Sequence, residues 1–282
     1  EMDAESGMPL ESGYGEKLLG GNHLRIEAPY VIYNEETGYY YMFLSFGGLD
    51  SDGGYNIRVC RSENPNGPYV DSMGQDMKDC KGPAGSAFSD ATAEQYGTKL
   101  MGGYKFTWKE GEEGEDRKGY LSPGHNSCLY QEETGKYFII YHTRFENSGE
   151  THEVRVHQMF FNEEGWPVIA PYRYTEESAE KLESKQLVGT YKYINHGRDI
   201  SPDMKESEEL VLNKNNTISG ALEGTWELSG DYNITIKTDE AEYKGIALKQ
   251  WDEDGKKYVM TFTALDSKSG VVIWGSGLNA ID

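Results

Sequence analysis

The residues most able to do chemistry stand just before two apolar strands, at the start of two copies of a repeated segment. Glu27 takes this place in the first copy, and the pair Gly124-His125 takes it in the second. Both Glu27 and His125 are ionisable. A buried carboxyl group is costly unless it is paired or put to use. Glu27 therefore predicts either a reactive carboxyl group or a structural ion pair with Arg25 or Arg58.

The repeat lies in residues 33–46 and 130–143, at an offset of 130 − 33 = 97 positions. Each copy has the pattern Tyr-X-Glu-Glu-Thr-Gly followed by an apolar run. The same offset places Ile57-Arg58-Val59-Cys60 on Val154-Arg155-Val156-His157. A repeated strand–turn–strand unit indicates a fold that is assembled from copies of one sheet.

Each copy predicts a small antiparallel sheet. The expected strands are 30–33, 39–46, 55–62 and 69–70 in the first copy, and 126–130, 136–143, 153–161 and 168–172 in the second. Glycine in the Thr-Gly turns supplies the positive φ that such a turn needs. A four-stranded meander of this kind is the unit of a propeller blade. Between the copies, residues 102–108 predict one strand, and the charged segment 109–118 predicts a solvated hairpin tip.

Composition excludes several classes of function. The chain has 282 residues and a net charge of −21, which would repel a phosphate backbone, so nucleic-acid binding is not expected. It contains 3 cysteines without metal-site spacing, so neither a disulfide framework nor a zinc site is expected. No run of 18 apolar residues occurs, so a membrane role is not expected either. The 21 Tyr and 5 Trp suit pleated sheets, and some could also stack against sugar rings.

The chain divides into two predicted domains. Residues 1–175 form the part that contains the repeat, residues 176–188 are an acidic linker, and residues 189–282 carry short alternating strands with close turns. This last pattern predicts a small antiparallel β-barrel or sandwich, and no catalytic constellation stands out in it. Its tryptophans, Trp226, Trp251 and Trp274, are interpreted as core or interdomain packing.

Several motifs together resemble the family 43 glycoside hydrolases, and the arabinanases most closely. They begin with the segment Gly20-Gly21-Asn22-His23-Leu24-Arg25-Ile26-Glu27-Ala28-Pro29. They continue with Ser45-Phe46-Gly47-Gly48, Gly53-Gly54-Tyr55-Asn56, Gly124-His125-Asn126-Ser127, Tyr141-His142-Thr143-Arg144 and Arg155-Val156-His157-Gln158. The likeness covers roughly residues 7–175 and is looser for the C-terminal domain.

The resemblance implies an all-β chain that is part of a five-bladed β-propeller, followed by the small β-domain. It implies hydrolysis of α-1,5-linked arabinan with inversion, in which Glu27 matches the general acid. His125 matches the family's histidine beside a bound calcium ion. Because imidazole is an unusual ligand for this hard cation, the ion would keep mostly water ligands and play a structural role.

Other site residues are weaker candidates. Asn22, His23 and Phe46 flank Glu27, Arg144 could reach a sugar hydroxyl, and Trp108 could form a stacking platform. The remaining histidines, His142, His152, His157 and His196, show no constellation in the sequence and are interpreted as ordinary polar or core residues.

The chain departs from the family pattern on the N-terminal side of Glu27. The family's catalytic base and third carboxylate stand before the general acid, yet only 26 residues precede Glu27 here. We therefore expect the N-terminal blades and the base to stand on a separate chain of the same enzyme. An arabinan-degrading enzyme is expected to be secreted or periplasmic. The alternatives are an arabinofuranosidase or xylosidase on the same scaffold, or a carbohydrate-binding propeller without turnover.

Overall fold

The chain is an all-β protein in a computed structural model that describes residues 1–13, 15–21, 24–86, 88–109, 112 and 118–281. The strands are β1 (Ile26–Asn34), β2 (Tyr39–Phe46), β3 (Asn56–Ser62), β4 (Thr98–Met101), β5 (Tyr104–Lys105), β6 (Tyr120–Gln131), β7 (Lys136–Phe145), β8 (His152–Phe161), β9 (Pro167–Ile169), β10 (Gly189–Asn195), β11 (Lys205–Glu206), β12 (Glu208–Leu212), β13 (Thr217–Gly220), β14 (Gly224–Ser229), β15 (Asn233–Lys237), β16 (Glu242–Asp252), β17 (Lys257–Asp266) and β18 (Val271–Gly277). A 3₁₀ turn spans Met77–Asp79, and two short helices are α1 (Asp90–Ala93) and α2 (Ser184–Leu187).

The predicted repeat is confirmed in the pairing of the strands. The first sheet has the order β1-β2-β3-β4, and the second contains β6-β7-β8-β9 with β5 and β11 added at one edge. Tyr33 faces Tyr40 in the first sheet, and Tyr130 faces Tyr137 in the second, with ring centroids 4.7 Å and 4.5 Å apart. The two sheets therefore share one register. That they belong to a five-bladed propeller stays a prediction.

The fourth strand of the first copy differs from the prediction. Val70 makes only isolated bridges, to Arg61 and Asp76, and β4 supplies the fourth strand beside β3. The chain turns away after Val70 because the Asp71 carboxylate accepts the main-chain N–H groups of Met73 and Gln75, both at 3.0 Å. This side-chain turn competes with continued strand pairing.

The segment between the copies also differs from the prediction. The strand expected over 102–108 is limited to β5, because Thr107 already donates its N–H group to the Ser207 hydroxyl. Most of the charged segment lies outside the described residues. Glu112, which is described, is buried rather than solvated and pairs with Lys192 at 2.5 Å.

The C-terminal domain is a closed barrel rather than a sandwich, formed by β10 and β12 to β18. Along each strand, alternate side chains point inward and fill the barrel, as the period of two requires. The inward residues include Tyr193, Leu210, Leu212, Trp226, Ile234, Phe262 and Ile273. Trp226 is therefore core, as predicted.

The outer face of the barrel packs against the two repeat sheets. Ile194, Ile246, Leu248, Leu265, Val272 and Trp274 point outward and join one hydrophobic cluster with residues such as Ile57, Tyr104 and Ile139. Trp274 is fully buried there, and its indole lies 5.0 Å from the Tyr104 ring. Burial of a large side chain contributes roughly 2–3 kcal/mol, so this contact holds barrel and sheets together firmly.

Candidate active site at Glu27

A β-bulge presents Glu27 at the start of β1. The pairing of β1 with β2 shifts register between Glu27 and Tyr30, and Ala28 has a φ of 52°. A non-glycine residue in this left-handed region is uncommon, and bulges of this kind often redirect a side chain next to an active site. Here the bulge leaves the Glu27 side chain exposed rather than buried.

The same bulge occurs in the second copy. Strand β6 shifts register on both sides of Gly124, and His125 has a φ of 49°. At the 97-residue offset, His125 is the equivalent of Ala28, and Gly124 is the equivalent of Glu27. The two bulges are joined, because the His125 N–H group donates a hydrogen bond to the Ser45 hydroxyl at 2.8 Å, and Ser45 faces Glu27 across the first sheet.

Tyr55 holds one oxygen of Glu27. Its phenol donates a 2.6 Å hydrogen bond to Oε1, while Oε2 makes no hydrogen bond to a residue that the structure describes. Burial, followed by the hydrogen bond and charge of Glu27, raises the pKa of Tyr55 well above its ordinary value. The phenol therefore keeps its proton and remains a donor at any working pH.

The alternative ion pairs for Glu27 are not formed. Arg25 binds the Asp90 carboxylate instead, and the Arg58 guanidinium donates to the carbonyl oxygens of Glu94 and Tyr96, at 2.9 Å and 2.8 Å. With both arginines engaged elsewhere, Tyr55 is the neighbour that orients the carboxyl group.

Three histidines extend the site into the second copy. His142 lies between the two others, with its ring centroid 6.1 Å from that of His125 and 4.6 Å from that of His152. The Tyr55 ring also stacks on His142, with ring centroids 6.0 Å apart. Burial, and then the nearby charges of His152, Arg144 and His125, lower the pKa of His142 to about 4. His142 is therefore neutral at physiological pH.

Sequence reasoning treated His142 and His152 as ordinary residues and so missed this group. A usable signal was present, since the offset of 97 maps Ser45 on His142 and Tyr55 on His152. Applying the repeat to every neighbour of Glu27, rather than to the strands alone, would have brought these positions together.

The weaker candidates have mixed outcomes. Asn22 and His23 lie outside the described residues. Phe46 is fully buried in a hydrophobic cluster, with the Arg58 guanidinium over its ring, so it offers no free face to a sugar. Trp108 is 39% exposed and lies in the segment between β5 and β6, next to Thr107, which binds Ser207.

Arg144 serves a different purpose from the predicted one. Its side chain is buried, and its Nε donates to Glu150 at 2.9 Å. Glu150 in turn accepts the Ser51 hydroxyl at 2.7 Å, and the Ser122 hydroxyl donates to the carbonyl oxygen of Asp50. Arg144 thus latches the glycine-rich loop 47–54 of the first copy to the second copy.

The predicted calcium ion is not matched by a full set of protein ligands. Within the described ranges, no group of three or more His, Cys, Asp or Glu side chains is placed to hold a metal ion. The surroundings of His125 are the His142 ring and the Ser45 hydroxyl, and calcium prefers six to eight oxygen ligands. Calcium at His125 stays a prediction, for an ion that would keep most of its water, and no chemical step is derived through it.

Two further predictions concern the cysteines and the possibility of membrane-spanning helices. The three cysteines, Cys60, Cys80 and Cys128, are free and buried, as a chain without a disulfide framework requires. Among the helices of the described residues, none has both the length and the apolar character needed to cross a bilayer.

Comparison with known proteins gives strong matches along almost the whole chain. Residues 171–275 match the family model GH43_C, described as a C-terminal lipocalin-like domain. The chain is 53% identical over 277 residues to the extracellular endo-α-(1→5)-L-arabinanase 2 of Bacillus subtilis and 49% identical over 281 residues to the extracellular endo-α-(1→5)-L-arabinanase of Thermotoga petrophila. Each match covers 98% of this chain and 58% of the relative.

Solved structures agree with these relatives. A family 43 glycoside hydrolase from Bacillus licheniformis superimposes with a TM-score of 0.93 at 50% identity, and the Thermotoga petrophila endo-1,5-α-L-arabinanase with a TM-score of 0.91 at 47% identity. Both cover 99% of this chain and 61% of the solved chain. The predicted separate N-terminal chain receives no support from these comparisons. Over nearly its whole length, the chain is thus similar to family 43 glycoside hydrolases that include endo-arabinanases, and it spans about three fifths of their length.

Proposed function

We propose that this chain carries the general acid of an enzyme that hydrolyses α-1,5-linked arabinan with inversion. The observation that carries the proposal is the Glu27 carboxyl group, exposed on a bulge with Oε1 bound to the Tyr55 phenol. Held by one oxygen, the carboxyl group can present the other to the oxygen of a leaving sugar. The relatives from Bacillus subtilis and Thermotoga petrophila are named endo-arabinanases, which supports arabinan as the substrate.

In the proposed reaction, Glu27 gives its proton to the glycosidic oxygen as the bond to the anomeric carbon breaks. A carboxylate base activates the water that attacks from the opposite face, and the two carboxyl groups of an inverting site stand roughly 6.5–9.5 Å apart. The net charge of −21 suits this substrate, because arabinan is an uncharged polymer that an acidic surface does not repel. We also propose an extracellular location, since both curated relatives are named as extracellular enzymes.

The test uses two substrates that differ in their need for an acid. In Glu27→Gln, turnover of debranched arabinan should fall by about 10²–10⁴-fold, the usual contribution of a general acid. Turnover of an aryl arabinofuranoside with a good leaving group should fall far less, because that group departs without a proton.

A matched control is Glu35→Gln, which removes an exposed carboxyl group from the turn that follows β1. It should leave both activities unchanged. Equal losses of Glu27→Gln on both substrates, or full activity on arabinan, would refute the role of Glu27.

A further inference from the structure

One segment of the barrel leaves the barrel and reaches the repeat sheets. This excursion, residues 196–207, runs between β10 and β12 and contains β11, which pairs in parallel with β5 of the second sheet. Its C-terminal end is attached to that sheet, since Lys205 donates its N–H group to the Gly103 carbonyl at 2.9 Å and Ser207 donates its N–H group to the Lys105 carbonyl at 3.0 Å.

Buried cations of the first sheet fasten the middle of the excursion. The Arg58 guanidinium donates to the Arg198 carbonyl, and Lys99 Nζ donates to the Asp199 carbonyl at 2.8 Å. The side chains of Arg58 and Lys99 are almost completely buried. If their hydrogen bonds to this segment were broken, water could not replace them. Leaving such a buried donor unpaired costs roughly 1–3 kcal/mol or more, which makes the attachment strong.

The excursion touches the residue that precedes Tyr55. A Cβ atom added to Gly54 would lie 3.0 Å from the N, C and O atoms of Ser201, so only glycine lets the two main chains come this close. Gly54 also has a φ of +69°, and its carbonyl oxygen accepts a 2.8 Å hydrogen bond from the Asn56 side chain. The position of Gly54 is thus determined both by the first sheet and by the excursion of the barrel.

Tyr55 is fixed on its other sides by the second copy. It is 1% exposed, and a Cβ atom on Gly124 would lie 2.1 Å from its ring. The His142 ring stacks beside it. A side chain so enclosed can place its phenol in only one position, which is the one that binds Glu27.

We propose that Tyr55 is a positioning residue for the general acid, and that the barrel, through its excursion at Ser201, holds Tyr55 in place. The barrel therefore helps to position a residue of the proposed catalytic site and is not a separate accessory domain. This inference rests on the proposed function of Glu27, because Tyr55 acts only through that carboxyl group.

The first test compares Tyr55→Phe with Tyr41→Phe in the intact protein. Both remove a phenol from a buried tyrosine, but the Tyr41 hydroxyl binds Thr37 at 2.9 Å, in a turn far along the sheet from Glu27. Tyr55→Phe should lower kcat on debranched arabinan by about tenfold, since small displacements of a catalytic group are costly, while Tyr41→Phe should retain wild-type kcat.

The readout that separates positioning from structure is the leaving group. A residue that acts through the acid loses its effect on an aryl arabinofuranoside whose leaving group needs no proton, so Tyr55→Phe should be near wild type there. A merely structural defect would lower turnover of both substrates alike and would overturn the inference. If Glu27→Gln is inactive on arabinan while Tyr55→Phe is fully active, the inference fails and the proposed function survives.

The second test concerns the barrel. Gly54→Ala presses on Ser201, whereas Gly38→Ala meets nothing within 4 Å at a similar φ of +73°. Both variants carry the same backbone strain, so only the contact with the excursion differs. Gly54→Ala should lower kcat on arabinan by about threefold or more, because catalysis is sensitive to a small displacement of the Tyr55 phenol and of the carboxyl group it binds. Turnover of the aryl arabinofuranoside should be near wild type. Equal kcat in the two variants would show that the excursion does not position the site.

Discussion

The two copies of the repeat share their backbone and differ in their chemistry. Both have the same hairpin, the same register and a bulge in the first strand, with one left-handed residue in β1 (Ala28) and two in β6 (Ser122 and His125). The first copy places a carboxyl group on the bulge, at Glu27. The second places glycine there, at Gly124, and surrounds it with imidazoles. The equivalent pairs are Glu27 and Gly124, Ala28 and His125, Ser45 and His142, and Tyr55 and His152.

The difference shows that the copies complement each other. Tyr55 belongs to the first copy and binds Glu27, yet its ring occupies the space that a side chain on Gly124 would need. The second copy lacks a side chain at this position, which leaves room for the ring that binds the Glu27 carboxyl group. Duplicated sheets can therefore build one candidate site together, with the shared backbone supplying positions and the substitutions supplying different chemical groups.

The substitution expected to have the largest effect is Gly124→Ala, which disrupts the contact between the Tyr55 ring and Gly124. The new methyl group would overlap the Tyr55 ring at 2.1 Å, which should cost roughly 1–3 kcal/mol of stability and displace the phenol. We expect activity on arabinan to fall by roughly tenfold to a hundredfold, from kcat measurements. The control is Gly135→Ala, which meets nothing within 4 Å and should keep its kcat. Wild-type kcat in Gly124→Ala would contradict the shared site.

A second difference between the copies is their response to acid. His157 is fully buried, donates from Nδ1 to the Ala170 carbonyl, and has its pKa lowered by burial to about 4, whereas its equivalent in the first copy is Cys60, whose thiol pKa is raised by burial. Unfolded histidine binds a proton below about pH 6.5, but folded His157 does so only near pH 4. Its stabilising contribution is therefore complete above pH 6.5 and is lost as the pH falls toward 4.

Between pH 6.5 and 4.5, the loss of the His157 contribution should lower the free energy of unfolding by roughly 2 kcal/mol. Denaturant unfolding at pH 6.5, 5.5 and 4.5 measures this loss. His157→Gln should show a shallower decline over this range than the wild type, while exposed His152→Gln should follow the wild type. Identical slopes in all three proteins would exclude His157 as the source.

A smaller effect is expected from the latch between the copies. Glu150→Gln weakens the bond from Arg144 and loosens loop 47–54, which Ser51 anchors. Since Glu150 is exposed and such pairs contribute little, stability should change by less than about 1 kcal/mol. We expect KM for arabinan to rise by about threefold with kcat nearly unchanged, because the loop borders the site without touching Glu27. A large loss of kcat would instead place Glu150 in the chemistry.

The smallest expected effect concerns the predicted calcium ion. If an ion with mostly water ligands lies at His125, then His125→Ala should lower the calcium content measured by elemental analysis after dialysis, while His152→Ala should not. The thermal stability should also fall slightly, since His125 would be the main protein contact of an ion that keeps mostly water ligands. An unchanged calcium content in His125→Ala would remove this histidine as a ligand.

Much of the fold was predictable because it follows from local patterns. The repeat and the alternation of apolar residues indicate β1, β2, β6 and β7, and the alternation in residues 189–282 indicates the barrel strands except β10 and β13. The fourth strand of the first copy was not predictable, since Asp71 diverts the chain by hydrogen bonds to residues that follow it, and β4 returns from a distant segment.

The site was predictable only in part. Glu27 and His125 stand out by type and position, whereas the proposed role of Tyr55 depends on a bond between β1 and the residue just before β3, which is not the neighbour of β1 in the sheet. Arg144 was expected to contact sugar, but its burial and its bond to Glu150 appear only when the second copy packs on the loop of the first. Contacts between sheets of this kind leave no pattern within a single strand.

The most direct test of the account is a double-mutant cycle of Glu27→Gln and Tyr55→Phe, measured as kcat on debranched arabinan. If Tyr55 acts only by orienting the acid, the double variant should be no slower than Glu27→Gln alone, because the second change removes support from a group that no longer donates a proton. If the two losses multiply instead, Tyr55 contributes independently of Glu27, and the claim that it positions the general acid is contradicted.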